Sequence, residues 1–340
     1  MKTYHLILWL TMALLVSSCF KEDEKITPHD PGDVQTATIE LTKDYRYQVY
    51  FDLSQGMVVA ENLKKEWDLA FEGSAGGYRI LLNTSNFMLA AGTGLTDFTI
   101  PIDTAGLSWK FDASSGNQDS LAFKNWIGYT LPDSLKIYSN EVYVVDRGYD
   151  EAGNLRGLKK VIFLDVTDTT YTLRFGGTDD SDGTIFTIRK DSSVNYTCFS
   201  FDDGGKQLDL EPPKDRWDLL FTQYTTLLYT NEGEPYPYLL TGVLSNQYRI
   251  EVAQDTLYEF GAIDYDAAKN MVYSGAQDEI GYDWKDVVGD VSSGNVSYVI
   301  IEGRNYVIRA RDGYYTKLRF TGFYSNSGEK GYPTFEFQKL

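Results

Sequence analysis

One run of residues occurs twice in this chain. Lys64-Lys65-Glu66-Trp67-Asp68-Leu69-Ala70-Phe71 returns as Lys214-Asp215-Arg216-Trp217-Asp218-Leu219-Leu220-Phe221, 150 residues later. That spacing is close to one domain length, so the chain is constrained to build the same unit twice. Each copy has a lead-in that alternates apolar and polar residues, Tyr47–Asp52 and Tyr196–Asp202, and then a glycine turn at Gly56 or Gly204-Gly205. Alternation bounded by turns is the signature of a half-buried strand. The Trp-Asp-Leu-x-Phe run itself reads as a buried strand, with its Trp and Phe carrying most of the buried area. Downstream, Thr170–Phe175 is similar to Tyr315–Phe320, and a further strand follows each, Thr184–Ile188 and Thr334–Gln338. The repeat divides the chain into a first unit over 37–193 and a second over 194–340.

The start of the chain predicts where it resides. Lys2 precedes an apolar run from Leu6 to Val16, the length of a signal peptide and too short to span a bilayer. Val16-Ser17-Ser18-Cys19 places small residues before a cysteine, the pattern cut by lipoprotein signal peptidase. Residues 1–18 are therefore expected to be removed and Cys19 to carry the lipid, with 19–36 as a tether holding two prolines and little apolar content.

Composition narrows the function classes. The formal charge is −18 and no basic stripe with interleaved aromatics is present, which argues against nucleic acid as a partner. With Cys19 lipidated, Cys198 has no intrachain partner, and its place in an alternating strand marks it as a buried, inert thiol. The two histidines, His5 and His29, precede the folded units, so neither a charge-relay triad nor a histidine-bearing zinc site can form within them. No Walker or dinucleotide glycine fingerprint occurs. Nothing singles out one carboxylate pair for glycoside hydrolysis, and Asp179–Gly183 reads as a solvated turn because it lacks the distant bidentate Glu of a calcium loop. The chain is read as a non-enzyme.

Strong alternation with few helical windows predicts a mostly β protein of antiparallel sheets and meanders. Short helical segments are expected at 121–127 and 264–272. Tyr236-Pro237-Tyr238 is expected in a loop, since proline breaks a strand ladder.

The lipobox followed by Lys21-Glu22-Asp23-Glu24, the Trp67-Asp68-Leu69-Ala70-Phe71 run, and the ending Tyr306–Phe320 together resemble the HmuY family, the haem-binding lipoproteins of the Bacteroidetes. The acidic residues after Cys19 are similar to the surface-export signal of such lipoproteins. The resemblance implies a protein anchored to the outer membrane and exposed at the cell surface. It would capture haem for iron acquisition and pass it to a TonB-dependent receptor. The family's type member grips haem between two histidines, which the folded units here lack. Relatives resembling it use methionine, and that implies Met271 and Met88 as candidate thioether ligands, with Tyr282 as a candidate phenolate. The alternative reading is the same scaffold binding a non-haem ligand, a glycan or a partner protein.

Overall fold

Alternating sequence between glycine turns produces strands almost throughout, and their pairing decides everything else. The computed structural model describes residues 31–130, 135–290 and 295–340; the expected signal peptide, Cys19 and the tether up to residue 30 lie outside the described residues. Eleven strands come first: β1 (Gln35–Thr38), β2 (Tyr47–Asp52), β3 (Met57–Leu63), β4 (Leu69–Glu72), β5 (Ile80–Leu82), β6 (Leu89–Gly92), β7 (Ile127–Tyr129), β8 (Lys136–Tyr138), β9 (Tyr143–Asp146), β10 (Leu158–Val166) and β11 (Thr170–Gly176). Eleven more follow: β12 (Thr184–Arg189), β13 (Tyr196–Ser200), β14 (Lys206–Leu208), β15 (Leu219–Tyr229), β16 (Pro235–Ser245), β17 (Ile250–Asp255), β18 (Lys285–Asp290), β19 (Asn295–Ile300), β20 (Asn305–Ala310), β21 (Tyr315–Tyr324) and β22 (Lys330–Lys339). The expected mostly β, antiparallel fold is present, with α1 (Tyr265–Lys269) as a single turn of α-helix among the described residues.

The sheets come in matched pairs. Two five-stranded sheets have the orders β12-β11-β10-β9-β6 and β1-β22-β21-β20-β17; two four-stranded sheets have the orders β14-β13-β4-β5 and β3-β2-β15-β16. Advancing every strand by eleven places converts one member of each pair into the other, and the hairpin β7-β8 into β18-β19. The pairing runs across residue 193/194. β13 pairs with β4, Phe199 opposite Leu69, and β2 pairs with β15, Phe51 opposite Leu219. One hydrophobic core accordingly draws on residues between Leu69 and Phe201. The other joins Ile39–Leu53 to Leu219–Phe337. A contiguous stretch of about 67–208 closes on itself, and the two chain ends meet to build its counterpart.

The similarity of Thr170–Phe175 to Tyr315–Phe320 therefore aligns β11 with β21, whereas the topology makes β22 its counterpart. Neighbouring strands of one sheet share the same alternation, so sequence likeness cannot separate them. Two local expectations also change. Residues 121–127 form isolated turns, Lys124 N–H donating to Leu121 O and Trp126 N–H to Phe123 O, before β7 begins at Ile127. Pro237 lies within β16, opposite Leu227. This is an edge strand, where a missing N–H costs no ladder bond. The helical turn expected over 264–272 is α1, capped by the Asp264 carboxylate, which accepts from Ala267 N–H.

The repeated run shows why it is repeated. In each copy the strand begins at Leu69 or Leu219, after the Trp, and the Asp is buried as an internal hub. The Asp68 carboxylate accepts Phe201 N–H (2.8 Å) and is ion-paired with Arg147 and Arg156 at 2.9 and 3.1 Å. The Asp218 carboxylate accepts Leu53 N–H (2.7 Å) and pairs with Arg249 at 3.0 Å. Two asparagines complete the hubs: Asn83 Nδ2 donates to the carbonyls of Lys64 and Trp67, and Asn246 Nδ2 to those of Lys214 and Trp217. Each hub ties a Trp-Asp strand to the strand that comes to it from the other half of the sequence.

Candidate ligand-binding cleft

The outer faces of the two four-stranded sheets look toward each other. On β4 and β13 the inward residues Leu69, Phe71 and Phe199 fill a core, and the alternate residues Ala70 and Cys198 point the other way. Their counterparts on β15 and β2 are Leu220 and Tyr50. Between these rows lies a cleft of about 460 Å³, within the size range of small-molecule sites. Trp67 and Trp217 line it from equivalent positions, as do Asn83 and Asn246. Tyr50 meets Trp217 edge to face at 5.0 Å. The segment 112–117 roofs one end. Ser114 Oγ donates to the Asp278 carboxylate (2.5 Å), and the Ser115 carbonyl accepts from Gln247 Nε2 and Gln277 N–H.

Two buried carboxyls face this space, and both are already saturated. Glu211 accepts Asn195 N–H, Asn195 Nδ2, Tyr196 N–H and Trp217 Nε1. Asp112 accepts Leu82 N–H and Ala122 N–H. Burial pushes each up to about 7. The folded chain thus holds these protons more tightly than the unfolded one. Their contribution to stability is complete below the ordinary value and is lost as pH climbs through the raised one. Glu211 alone should weaken the fold by up to about 3 kcal/mol between about pH 4.5 and pH 8. Glu211→Gln is expected to reduce that loss, as measured by urea unfolding at both pH values; an unchanged pH slope would rule this out. The Cys198 thiol is buried and burial pushes its pKa up, which keeps it un-ionised where it borders the cleft.

The residues singled out from the sequence lie elsewhere, in three different clusters. Met88 is fully buried in the core of the contiguous half, among Leu69, Phe71 and Phe123. Tyr282 is half-buried against Tyr50, Trp217 and Tyr224, and burial raises its phenol, which disfavours the phenolate. Met271 is half-buried just beyond α1, beside Tyr273 and Tyr315. Tyr265 packs edge to face on Tyr315 at 5.5 Å, and the Arg309 guanidinium sits 4.3 Å over the Tyr273 ring. Of the two methionines, Met271 is the one only partly buried, and it shares its cluster with Tyr273 and Tyr315. Lys269 and Arg309 border the cluster, each paired with a carboxylate.

Sequence reasoning did not reach the cleft residues Ser245, Tyr248 and Arg311. Lys214 carried a signal, standing in the repeated run, but its side chain matters here through a neighbour that the repeat does not share. Lys214 Nζ lies 4.5 Å over the Tyr248 ring, and Tyr248 occupies the position held by Ser85 in the other half.

The family described as "HmuY protein" matches residues 44–337. Among solved structures, apo PinO from Porphyromonas gingivitis aligns at 11% identity over 91% of this chain and 98% of that chain, with a TM-score of 0.29. The apo HmuY analog of Tannerella forsythia aligns at 10% identity over 92% and 99%, with a TM-score of 0.25. A putative HmuY-like heme binding protein from Bacteroides vulgatus aligns at 21% identity over 53% and 90%, with a TM-score of 0.18. Curated proteins yield no match to this chain.

Proposed function

The chain belongs to the HmuY family, and on that premise we propose that it is a non-enzymatic ligand-capture lipoprotein whose cargo is haem. Lipid on Cys19 would hold it at the outer membrane facing outward, and the captured haem would pass to a TonB-dependent receptor. Among the described residues no helix is long and apolar enough to cross a membrane, which accords with a lipid anchor. The family supports haem as the cargo, and one observation supports a place for it. Met271 is half-buried in a cluster with Tyr273 and Tyr315, Tyr265 packs on Tyr315, and Arg309 lies over Tyr273. A thioether is a recognised axial ligand for haem iron, flat aromatic surface suits the macrocycle, and the cation suits its propionates. Met88 has no open face from which to reach iron, and Tyr282 is held in its neutral form.

Ferric and ferrous haem titrated into the protein lacking residues 1–35 should give a saturable, red-shifted Soret band. Met271→Ala should abolish the thioether signature and weaken binding by about tenfold or more. A saturable band that survives this substitution would remove Met271 from the site, and no saturable shift in either oxidation state would end the haem reading.

A further inference from the structure

The cleft between the two repeats is a second, independent place where this chain departs from its own symmetry. Arg147 and Arg311 are equivalent, each following the last residue of a paired strand: Asp146 stands opposite Leu89, and Ala310 opposite Ile250. Arg147 is consumed by two carboxylates, Asp68 and Asp202, at 2.9 and 2.8 Å. On the other side the position of Asp202 is taken by Ser54, and Asp218 is already paired with Arg249, which stands where the first half has Met88. Arg311 has no carboxylate partner among the described residues, and its Nη2 donates to the Gln247 carbonyl at 3.3 Å. Its guanidinium lies 5.1 Å from the Tyr248 ring, whose other close cation is Lys214. No ion pair among the described residues involves Lys214 or Arg311.

Lys214 and Arg311 thus set two cations without an ion pair at the edge of the cleft, in a chain of formal charge −18. Inside, Glu211 and Asp112 are occupied by their own donors. The walls are Tyr50, Trp67, Leu220, Leu244 and Ala70. We propose that this cleft binds a small organic acid: a ring-bearing carboxylate whose apolar face lies on these walls and whose anion meets Lys214 and Arg311. This site is separate from the Met271 cluster and does not depend on haem.

Isothermal titration with D-glucuronate and with 3-phenylpropionate, against the neutral partners glucose and 3-phenylpropanol, tests the proposal and separates a sugar acid from an aryl acid. At least one acid should bind and its neutral partner should not. Each of Lys214→Gln and Arg311→Gln should weaken that acid by roughly tenfold, and Arg311→Lys should restore most of the loss. Both cations lie at the rim, so circular dichroism should be unchanged in these variants. The proposal is overturned if neither acid binds at millimolar concentration, if the neutral partners bind as well as the acids, or if the glutamine variants bind with native affinity.

Discussion

Asp68→Ala should lower the unfolding free energy by about 3–5 kcal/mol, as measured by guanidinium unfolding. Asp68 is wholly buried, and the two guanidiniums beside it, on Arg147 and Arg156, are 8% and 9% exposed. Arginine cannot shed its proton to escape the apolar surroundings, so removing the carboxylate leaves Arg156 with no ion pair among the described residues and Arg147 with Asp202 alone. It also orphans Phe201 N–H, a backbone donor that Asp68 receives from the segment following β13. The Arg156 guanidinium already has one buried nitrogen without a partner, which leaves it little to fall back on. Asp218→Ala is the internal comparison. It leaves one guanidinium, on the more exposed Arg249, with Asp52 at 3.7 Å, and should cost less. A loss at Asp68 of under about 1 kcal/mol, or one no larger than at Asp218, would show that the hub is not what locks the strands together.

A fragment of residues 37–193 should fail to fold, whereas a fragment of residues 67–208 should fold cooperatively. The first carries β2 and β3 without β15, and β4 without β13. Its core lacks Phe199 and Phe201, both almost fully buried, and losing two such side chains costs about 3–5 kcal/mol each. Together, at about 6–10 kcal/mol, these losses match the whole stability of an ordinary domain. The second fragment contains every strand that packs on its core, with Phe199 set between Phe71, Phe175 and Phe201. Circular dichroism and urea unfolding of the two fragments check this directly. A cooperative transition in 37–193 with none in 67–208 would overturn the account of closure given above.

Much of this architecture was legible in the residues. Period-two alternation identified β2, β10, β13, β20 and β21 because a strand's pattern reports which of its faces is buried, and that is a local property. The two Trp-Asp runs exposed the repeat because each must present a buried carboxylate to a strand arriving from the other half. The family resemblance rested on those same runs. The candidate site was far less legible. Met88 and Met271 look alike in sequence, and what separates them is whether a core has closed over the sulfur. Lys214 and Arg311 lie 97 residues apart and share Tyr248 only after β17, β20 and the segment before β15 come together.

What the sequence determined by itself was the β character, the doubling, the lack of histidine in the folded body, and hence the chemistry this chain cannot perform with its own side chains. What the tertiary structure decided was partnership. Alternation says that Phe199 and Phe51 are buried, and it is silent on whether they are buried against strands of their own half or the other. That choice rests on contacts more than a hundred residues apart, Phe199 with Leu69 and Phe51 with Leu219, whose free energy no short window of sequence contains. The same non-local geometry gave Arg147 two carboxylates and left Arg311 without one among the described residues.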